Sequence, residues 1–351
     1  MLDIFNSQAF SLVRLTMAMN EIKYAPSRLQ ELGLFEADST DVLTVAIEKI
    51  GDVLVIVPPS QRGGPGNTTD MPKRSLRNLT IPHFQLEGAM MADEIQGVRA
   101  FGSETALETI AGRLAKKLQI HVNSFAATEE HQRMGAIKGT VSYADGTSLN
   151  LFTEFGETQP TEIAFDLLAA SPVAGVLRKT CAGIIRQIAN LLDGVPFTGV
   201  RAFCGDNFFD ALLQHSEIRS TFLNWNEAQI LRDGYVGPDK SGIYGSFMFG
   251  GIIWENYRGA TIKAADKNNN GTAQTFIDTD KCHFVPMGVP GLFKTTYAPA
   301  DYMETVNTMG QRLYAKQWQR EDGKGITFES QMNALQYCTR PRLLIGGRKG
   351  T

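Results

Sequence analysis

The chain has 351 residues, of which 43% are hydrophobic and 20% charged, a mixture typical of a globular protein large enough for two domains. The formal net charge of -3 argues against a protein that wraps nucleic acid, because that role needs a strongly basic face. The apolar runs are too short to cross a bilayer and the first residues lack the pattern of a secretory signal, so we expect synthesis in the cytoplasm.

The amino-terminal segment, residues 1–45, is irregular and is predicted to be an arm rather than a domain. From Val42 onward, apolar and polar residues alternate, which indicates a β-strand. A second apolar run, residues 53–57, follows at hairpin distance and is predicted to pair with the first. Pro58 and Pro59 then end the second strand.

Residues 60–78 form a polar, glycine-containing insertion with an excess of basic side chains. Insertions of this length without secondary structure are uncommon in compact domains and are usually functional or disordered. The sequence leaves two interpretations open, a mobile surface loop or an arm that grips a neighbouring molecule. In the second interpretation the contacts come from four basic residues, Arg62, Lys73, Arg74 and Arg77.

A long helix is predicted from Thr105 to about Met134, because Thr105 and Glu108 match a capping box and an apolar stripe follows. The stripe recurs every three or four residues at Leu107, Ile110, Leu114, Leu118, Val122 and Phe125. Beyond the helix, two alternating stretches flank Asp145 and Gly146, which is a strong signal for a β-hairpin. We expect helix and hairpin to share one domain.

A second domain is predicted to begin with a helix that Ser171 caps, Pro172 starts and Gly194 ends. The expected buried face of this helix is Val173, Val176, Leu177, Cys181, Ile184, Ile188 and Leu191. Three elements follow, a strand, a helix capped by Asp206 and a buried strand with a glycine bulge, at 199–204, 208–215 and 247–254. The alternation of strands and helices indicates an α/β or α+β domain.

Groups that resemble reactive sites fail on their spacing. The loop that begins at Asp266 has the first oxygen ligands of a calcium hand, but its twelfth position is Ile277 instead of glutamate. Cys282 and His283 are neighbours in a predicted strand and therefore point to opposite faces. The cysteines are scattered and are expected to be buried, reduced thiols: Cys181, Cys204, Cys282 and Cys338. We expect no catalytic residue, cofactor, metal or disulfide.

Five segments, in the same order along the chain, resemble the major capsid proteins of tailed phages in the lambda E family. They are residues 197–212 (FTGVRAFCGDNFFDAL), 249–259 (FGGIIWENYRG), 286–293 (PMGVPGLF), 297–302 (YAPADY) and 338–341 (CTRP). Together with the organisation of the amino-terminal half, the resemblance extends from about residue 20 to the end of the chain.

The resemblance implies the Hong Kong 97-type phage capsid fold, an α+β architecture. Its parts are an N-terminal arm, an extended loop, a peripheral domain built on a long spine helix, and an axial domain. The implied boundaries are 1–45 for the arm, 46–100 for the extended loop with flanking strands, 101–160 for the peripheral domain, 161–315 for the axial domain and 316–351 for a return to the peripheral domain.

The resemblance also implies a structural protein, not an enzyme, that self-assembles into hexamers and pentamers of the icosahedral head of a tailed double-stranded DNA phage. The implied partners are copies of the chain, a decoration or cement protein, scaffold, portal, and packaged DNA contacted without sequence specificity, with no membrane. The protein would reside in the virion after assembly in the host cytoplasm. Its basic loop would lie across a neighbour, with Glu94, Glu104 and Glu108 as possible acidic partners.

Two other functions stay open at this point, an encapsulin-like compartment shell and a cytosolic hydrolase. The contents of a purified shell distinguish the first from a phage head. A monomer or dimer with a saturable pocket would indicate the second.

Overall fold

The structure is a computed structural model that describes residues 28–50, 74–94, 110–169, 172–223, 245–257, 262–263, 273–274 and 276–350. The helices in these ranges are α1 (Arg28–Glu31), α2 (Ile110–Lys138), α3 (Leu151–Phe155), α4 (Val176–Leu191), α5 (Asp206–Gln214) and α6 (Ser216–Leu223). Short 3₁₀ turns occur at Ala92–Glu94, Met303–Thr305 and Pro341–Leu343.

The strands of the amino-terminal half are β1 (Phe35–Ser39), β2 (Thr44–Ile50), β3 (Arg74–Thr80), β4 (His83–Met91), β5 (Thr140–Ser142), β6 (Ser148–Asn150) and β7 (Ile163–Ala164). Those of the carboxyl-terminal half are β8 (Gly199–Cys204), β9 (Ser246–Phe249), β10 (Ile252–Asn256), β11 (Ile262–Lys263), β12 (Ala273–Gln274), β13 (Lys281–Met287), β14 (Phe293–Tyr297), β15 (Tyr314–Gln319), β16 (Gly325–Cys338) and β17 (Ile345–Arg348).

The long helix α2 packs on a five-stranded sheet in which β16 pairs with β14, β15 and β4, and β1 pairs with β14. The helix confirms the predicted spine, although its predicted start at 105–109 lies outside the described residues. It ends at Lys138, beyond the predicted end at Met134. The buried members of its apolar stripe are those predicted at Leu114, Leu118, Val122 and Phe125, which share a core with Met90 and Phe328 of the sheet.

The second sheet has six strands in the order β7-β17-β13-β8-β10-β9 and mixes parallel with antiparallel pairs. An aromatic cluster fills its core, with ring centroids 5.4 to 6.1 Å apart among Phe165, Phe208, Trp254 and Phe284. The apolar face of α4 belongs to the same core through Leu177, Cys181, Ile184 and Ile188, as predicted.

The predicted hairpin at Asp145 and Gly146 is confirmed. β5 and β6 pair antiparallel, Gly146 adopts a positive φ of 86°, and the Asp145 carboxylate accepts from the backbone N–H and the hydroxyl of Thr147. Local turn chemistry therefore determines this element, since only a few residue types tolerate the backbone angles of a tight hairpin.

The predicted single strand at 247–254 is wrong, because β9 and β10 form a hairpin with antiparallel pairing of Phe249 and Ile252. The two residues between them, Gly250 and Gly251, both have positive φ, at 62° and 81°. Two consecutive residues with positive φ make a tight reversal, a conformation that glycine adopts without steric cost.

The start of α4 was predicted too early. The helix begins at Val176 after Gly175, whose positive φ of 86° interrupts the helical backbone, so Pro172 lies outside it. Two residues predicted for the buried face, Val173 and Val176, are consequently more than half exposed. Ser171 lies outside the described residues.

The predicted cap on α5 is also wrong, since the residue before this helix is Gly205 and no side chain caps it. The carboxylate of Asp206 instead accepts from Asn256 Nδ2 at 2.9 Å. The Asp206 carboxylate therefore binds the side-chain amide of Asn256 on β10, whereas the sequence predicted that it would bind the backbone of α5.

Strand β2 pairs with β3 along its whole length, with Thr44 opposite Thr80 and Ile50 opposite Arg74. The predicted partner, 53–57, lies outside the described residues. The last residues of the basic insertion, 74–78, belong to β3, although the whole insertion was predicted to lack secondary structure. We call β2 and β3 together the ribbon.

Each sheet combines strands that are far apart in the chain, while the expected domain boundaries stay a prediction. β14 falls within 161–315 but pairs in the five-stranded sheet with β16. β17 falls within 316–351 but pairs in the six-stranded sheet with β13 and β7. The chain thus crosses between the two layers more often than a simple outward and return path implies.

Candidate functional site

The basic residues predicted to contact a neighbour are only partly described. Arg62 and Lys73 lie outside the described residues, and Arg74 is the first residue of β3. Arg77 is exposed, and its Nη1 donates to the backbone carbonyl oxygens of Glu154 at 2.5 Å and Thr153 at 3.3 Å. Glu154 lies in the last turn of α3, where carbonyl oxygens lack a partner within the helix, whereas Thr153 O also accepts from the backbone N–H of Gly156 at 3.1 Å. Arg77 therefore attaches the ribbon to its own subunit.

Among the predicted acidic partners, Glu104 and Glu108 lie outside the described residues. Glu94 follows β4, and its Oε2 accepts from Lys117 Nζ on α2 at 2.7 Å, with Arg113 Nη2 at 3.9 Å. The hydrogen bond from Lys117 lowers the pKa of Glu94. Glu94 and Arg77 thus have partners within the chain, and their contact with a neighbouring subunit stays a prediction.

A group of charged residues, four of them buried and three half-buried, lies where α2 meets both sheets, and we call it the charged junction. It consists of Arg28, Glu129, Glu130, Arg133, Arg201, Glu255 and Arg312. Sequence analysis did not identify this group. It had one signal, since Glu129 comes four residues after Phe125 and so continues the buried stripe of α2 with a carboxylate.

Glu129 is the best satisfied of these carboxylates. Its Oε1 accepts from Tyr297 Oη at 2.6 Å and Arg133 Nη2 at 2.9 Å, and its Oε2 accepts from Arg312 Nη2 at 2.9 Å. Burial and the adjacent negative charge of Glu129 raise the pKa of Tyr297. The hydroxyl therefore stays protonated and donates, and the contacts hold α2 to the strand end at β14.

Glu130 holds the amino-terminal segment against α2. Its Oε1 accepts from the backbone N–H of Leu29 at 2.8 Å and from Tyr257 Oη at 2.7 Å. Leu29 is itself fully buried. The short helix α1 is thus fixed to the centre of the molecule rather than lying loosely on its surface.

Glu255 of β10 completes the junction on the side of the six-stranded sheet. Its side chain is fully buried and accepts from Arg28 Nε at 2.5 Å and from Arg201 Nη1. A buried carboxylate without such donors would be strongly destabilising, whereas paired charges tolerate burial. The junction therefore joins the amino-terminal segment, α2 and both sheets into one unit.

The thiol and imidazole at Cys282 and His283 do not form a reactive pair. Cys282 is buried and His283 partly exposed, the alternation expected of neighbours in a strand. Burial, with Cys204 adjacent, raises the pKa of Cys282 well above its usual value, so the poorly nucleophilic thiol predominates. All four cysteines are buried and free, which confirms the expectation of buried thiols.

Within the ranges that the structure describes, no group of three or more His, Cys, Asp or Glu residues is placed to hold a metal ion. The helices in the same ranges include none that is long and apolar enough to span a bilayer.

Comparison with known proteins points to one family. The family profile described as phage major capsid protein E matches residues 11–349. The major capsid protein of Pseudomonas phage KPP10 is 27% identical over 327 residues, which cover 91% of each chain. The major capsid protein of Salmonella phage Felix O1 (isolate Felix O1-VT1) is 28% identical over 377 residues, covering 99% of this chain and 98% of that one.

Solved structures agree on the fold. A crystal structure assigned to a prophage capsid protein of E.coli CFT073 superimposes with a TM-score of 0.59 at 12% identity, over 98% of this chain and 100% of that one. The capsid of cyanophage Pam1 superimposes with a TM-score of 0.50 at 10% identity, over 90% and 88%. At such low identity the likeness bears on architecture, and it confirms the expected α+β capsid fold.

Proposed function

The chain belongs to the phage major capsid protein E family, and from this premise we propose that its copies assemble into hexamers and pentamers that close the icosahedral head of a tailed phage. As a major capsid protein it is a component of the virion. The observation that supports this function most directly is the family match over residues 11–349, on a chain with the capsid fold.

Geometry supports assembly as the main activity. Copies that meet head-to-tail about rotation axes form closed rings, and nearly equivalent contacts between rings close a shell. Each contact is allowed to be weak, because many act together. The ribbon is suited to such contacts, because Arg77 holds it to its own subunit and β3, which begins at Arg74, contains the end of the basic insertion.

The proposal includes partners beyond the chain itself. The net charge of -3 suits a lining that contacts packaged double-stranded DNA without binding it tightly, so that the genome enters and leaves the shell. Scaffold, portal and decoration proteins are the remaining proposed partners, and the host cytoplasm is the proposed place of assembly. We further propose that the protein has no catalytic role, in keeping with the burial of its four thiols.

Electron microscopy of the purified protein, expressed with a scaffold, tests this function. We expect hollow closed particles or ring-shaped capsomers that enclose no enzyme. A preparation that contained only compact monomers, by microscopy and by sedimentation, would contradict the proposal.

A further inference from the structure

Strands β14 and β15 both pair with β16 in the five-stranded sheet, and the chain between them leaves the sheet and then returns to it. Tyr297 pairs with Ala334 and Tyr314 pairs with Gln331, both in the antiparallel sense, so the two strands meet successive parts of β16. Residues 298–313 connect these two strands, and we call them the excursion loop.

Hydrogen bonds within the excursion loop, and between the loop and residues beside it, hold it in place. Thr305 is buried, and its hydroxyl donates to the carbonyl oxygen of Ala300 at 2.7 Å. The backbone N–H of Gly310 donates to Thr40 O at 2.9 Å, and that of Gln311 donates to Tyr314 Oη at 2.8 Å. Loops with this much internal bonding present their outer side chains in a fixed arrangement, which lowers the entropy lost on binding.

The side chains presented are apolar. Met303 is 87% exposed, and Val306 and Met309 are each more than half exposed. The hydrogen bond between Gly310 and Thr40 brings the turn after β1 beside the loop, and this turn adds two more apolar residues that are over half exposed, Val42 and Leu43. Single exposed apolar residues are ordinary, but a group on a rigid loop marks an interaction surface.

Charge distribution indicates what this surface meets. Each charged residue of the loop is engaged inside the subunit: Asp301 by Gln331, Glu304 by Lys316 and Arg312 by Glu129. The stretch from Thr305 to Gln311 contains no charged residue. Identical surfaces that meet about a rotation axis place like charges against each other, which is repulsive, whereas uncharged apolar surfaces avoid this cost.

We propose that the excursion loops of neighbouring copies of this chain pack on one another through Met303, Val306 and Met309, with Val42 and Leu43 beside them. The inference rests on the proposed function, since it requires assembly, and it names one contact of that assembly. Methionine side chains are flexible and adapt to slightly different surroundings, which suits subunits in nearly equivalent positions.

A single new cysteine tests whether the same loop meets itself. The native cysteines are all buried, so Met309→Cys supplies the reactive thiol. Treatment of intact particles with a short bismaleimide should yield covalent dimers. The same variant as unassembled subunits at equal concentration should stay monomeric. Intact particles without dimers, or equal dimer yields in both states, would overturn the proposal.

Charge provides the second test. Replacing Met303, Val306 and Met309 together by glutamate should lower particle yield by at least roughly tenfold, because like charges then face each other. Mixing this variant with one that carries lysine at the same positions should restore particles. Wild-type yield from the glutamate variant alone would overturn the loop contact. Absence of particles from the wild-type chain would contradict the proposed function instead.

Discussion

The charged junction and the ribbon use charge in opposite ways. In the junction, Glu129 is 1% exposed, and each of its two carboxylate oxygens accepts from an arginine. In the ribbon, Arg77 is exposed and donates to two backbone oxygens of α3. Buried charges destabilise a fold strongly when their partners are lost, whereas exposed ones contribute little. The junction therefore maintains the subunit, and contact of the ribbon with a neighbouring subunit stays a proposal.

The largest expected effect comes from Glu129→Ala. The change removes the carboxylate that Arg133 and Arg312 share and the acceptor of the Tyr297 hydroxyl. Breaking a buried ion pair from one side costs about 3–5 kcal/mol. We expect the free energy of unfolding of the unassembled subunit to fall by that amount in urea denaturation.

The matched control for that change is Arg77→Ala in the ribbon. It removes an exposed contact with the carbonyls of α3, and we expect a loss of no more than about 1 kcal/mol. Equal losses for Glu129→Ala and Arg77→Ala would show that the contrast between the two regions is wrong.

A pH titration separates interior from surface in another way. Burial, together with the positive charges of Lys138 and Lys281, lowers the pKa of His283 to about 3. Below the unfolded pKa near 6.5, the unfolded chain binds a proton that the folded chain does not. The stability that His283 contributes above that pH is therefore lost as the pH falls towards 3, by at most about 1.4 kcal/mol per pH unit.

The measurement is the free energy of unfolding between about pH 7 and pH 5, where carboxylates stay mostly ionised. We expect His283→Gln to show a shallower decline than the wild-type subunit over this interval. Parallel curves for the two proteins would mean that His283 titrates alike in both states, which would contradict a pKa lowered by partial burial and the two lysines.

Patterns within short stretches predicted much of the fold. The stripe of α2 and the turn at Asp145 and Gly146 are local, because each depends on residues a few positions apart. The partner of β2 and the place of β17 depend on pairing across long separations, which no local pattern records. The charged junction is assembled from several distant segments, so only the carboxylate of Glu129 on an apolar stripe pointed to it.

Ribbon-side charges should affect assembly without affecting the fold. Lys73→Glu combined with Arg74→Glu alters the first residue of β3 and the residue before it in the sequence, and it leaves the contacts between Arg77 and α3 unchanged. Substitutions at exposed positions shift stability by about 0.5 kcal/mol or less, and we expect these two to behave in the same way. We expect unchanged unfolding but loss of sedimenting particles, and weaker wild-type assembly at high salt. Particles at wild-type yield would show that this segment does not grip its neighbour through charge.

The last prediction is that no covalent bond forms between subunits. An isopeptide cross-link needs a loop lysine, such as Lys73, to reach an asparagine amide of a neighbour with an acid nearby. Asn333, four residues after Glu329, is the candidate amide, but it is buried in the subunit. Its Nδ2 donates to Pro299 O at 2.8 Å, and its Oδ1 lies 2.7 Å from His83 Nδ1.

An attacking lysine would have to lose its hydration and displace both contacts of that amide, and each of these steps is unfavourable. Mature particles boiled in denaturant should therefore run as single subunits on a gel. Reducing agent in the sample separates any disulfide from an isopeptide. A ladder of oligomers that survives the reducing agent would mean that surface contacts become covalent, and it would give the protein an autocatalytic activity. Asn333→Asp would then identify the amide, because the ladder would disappear only if this side chain is the one attacked.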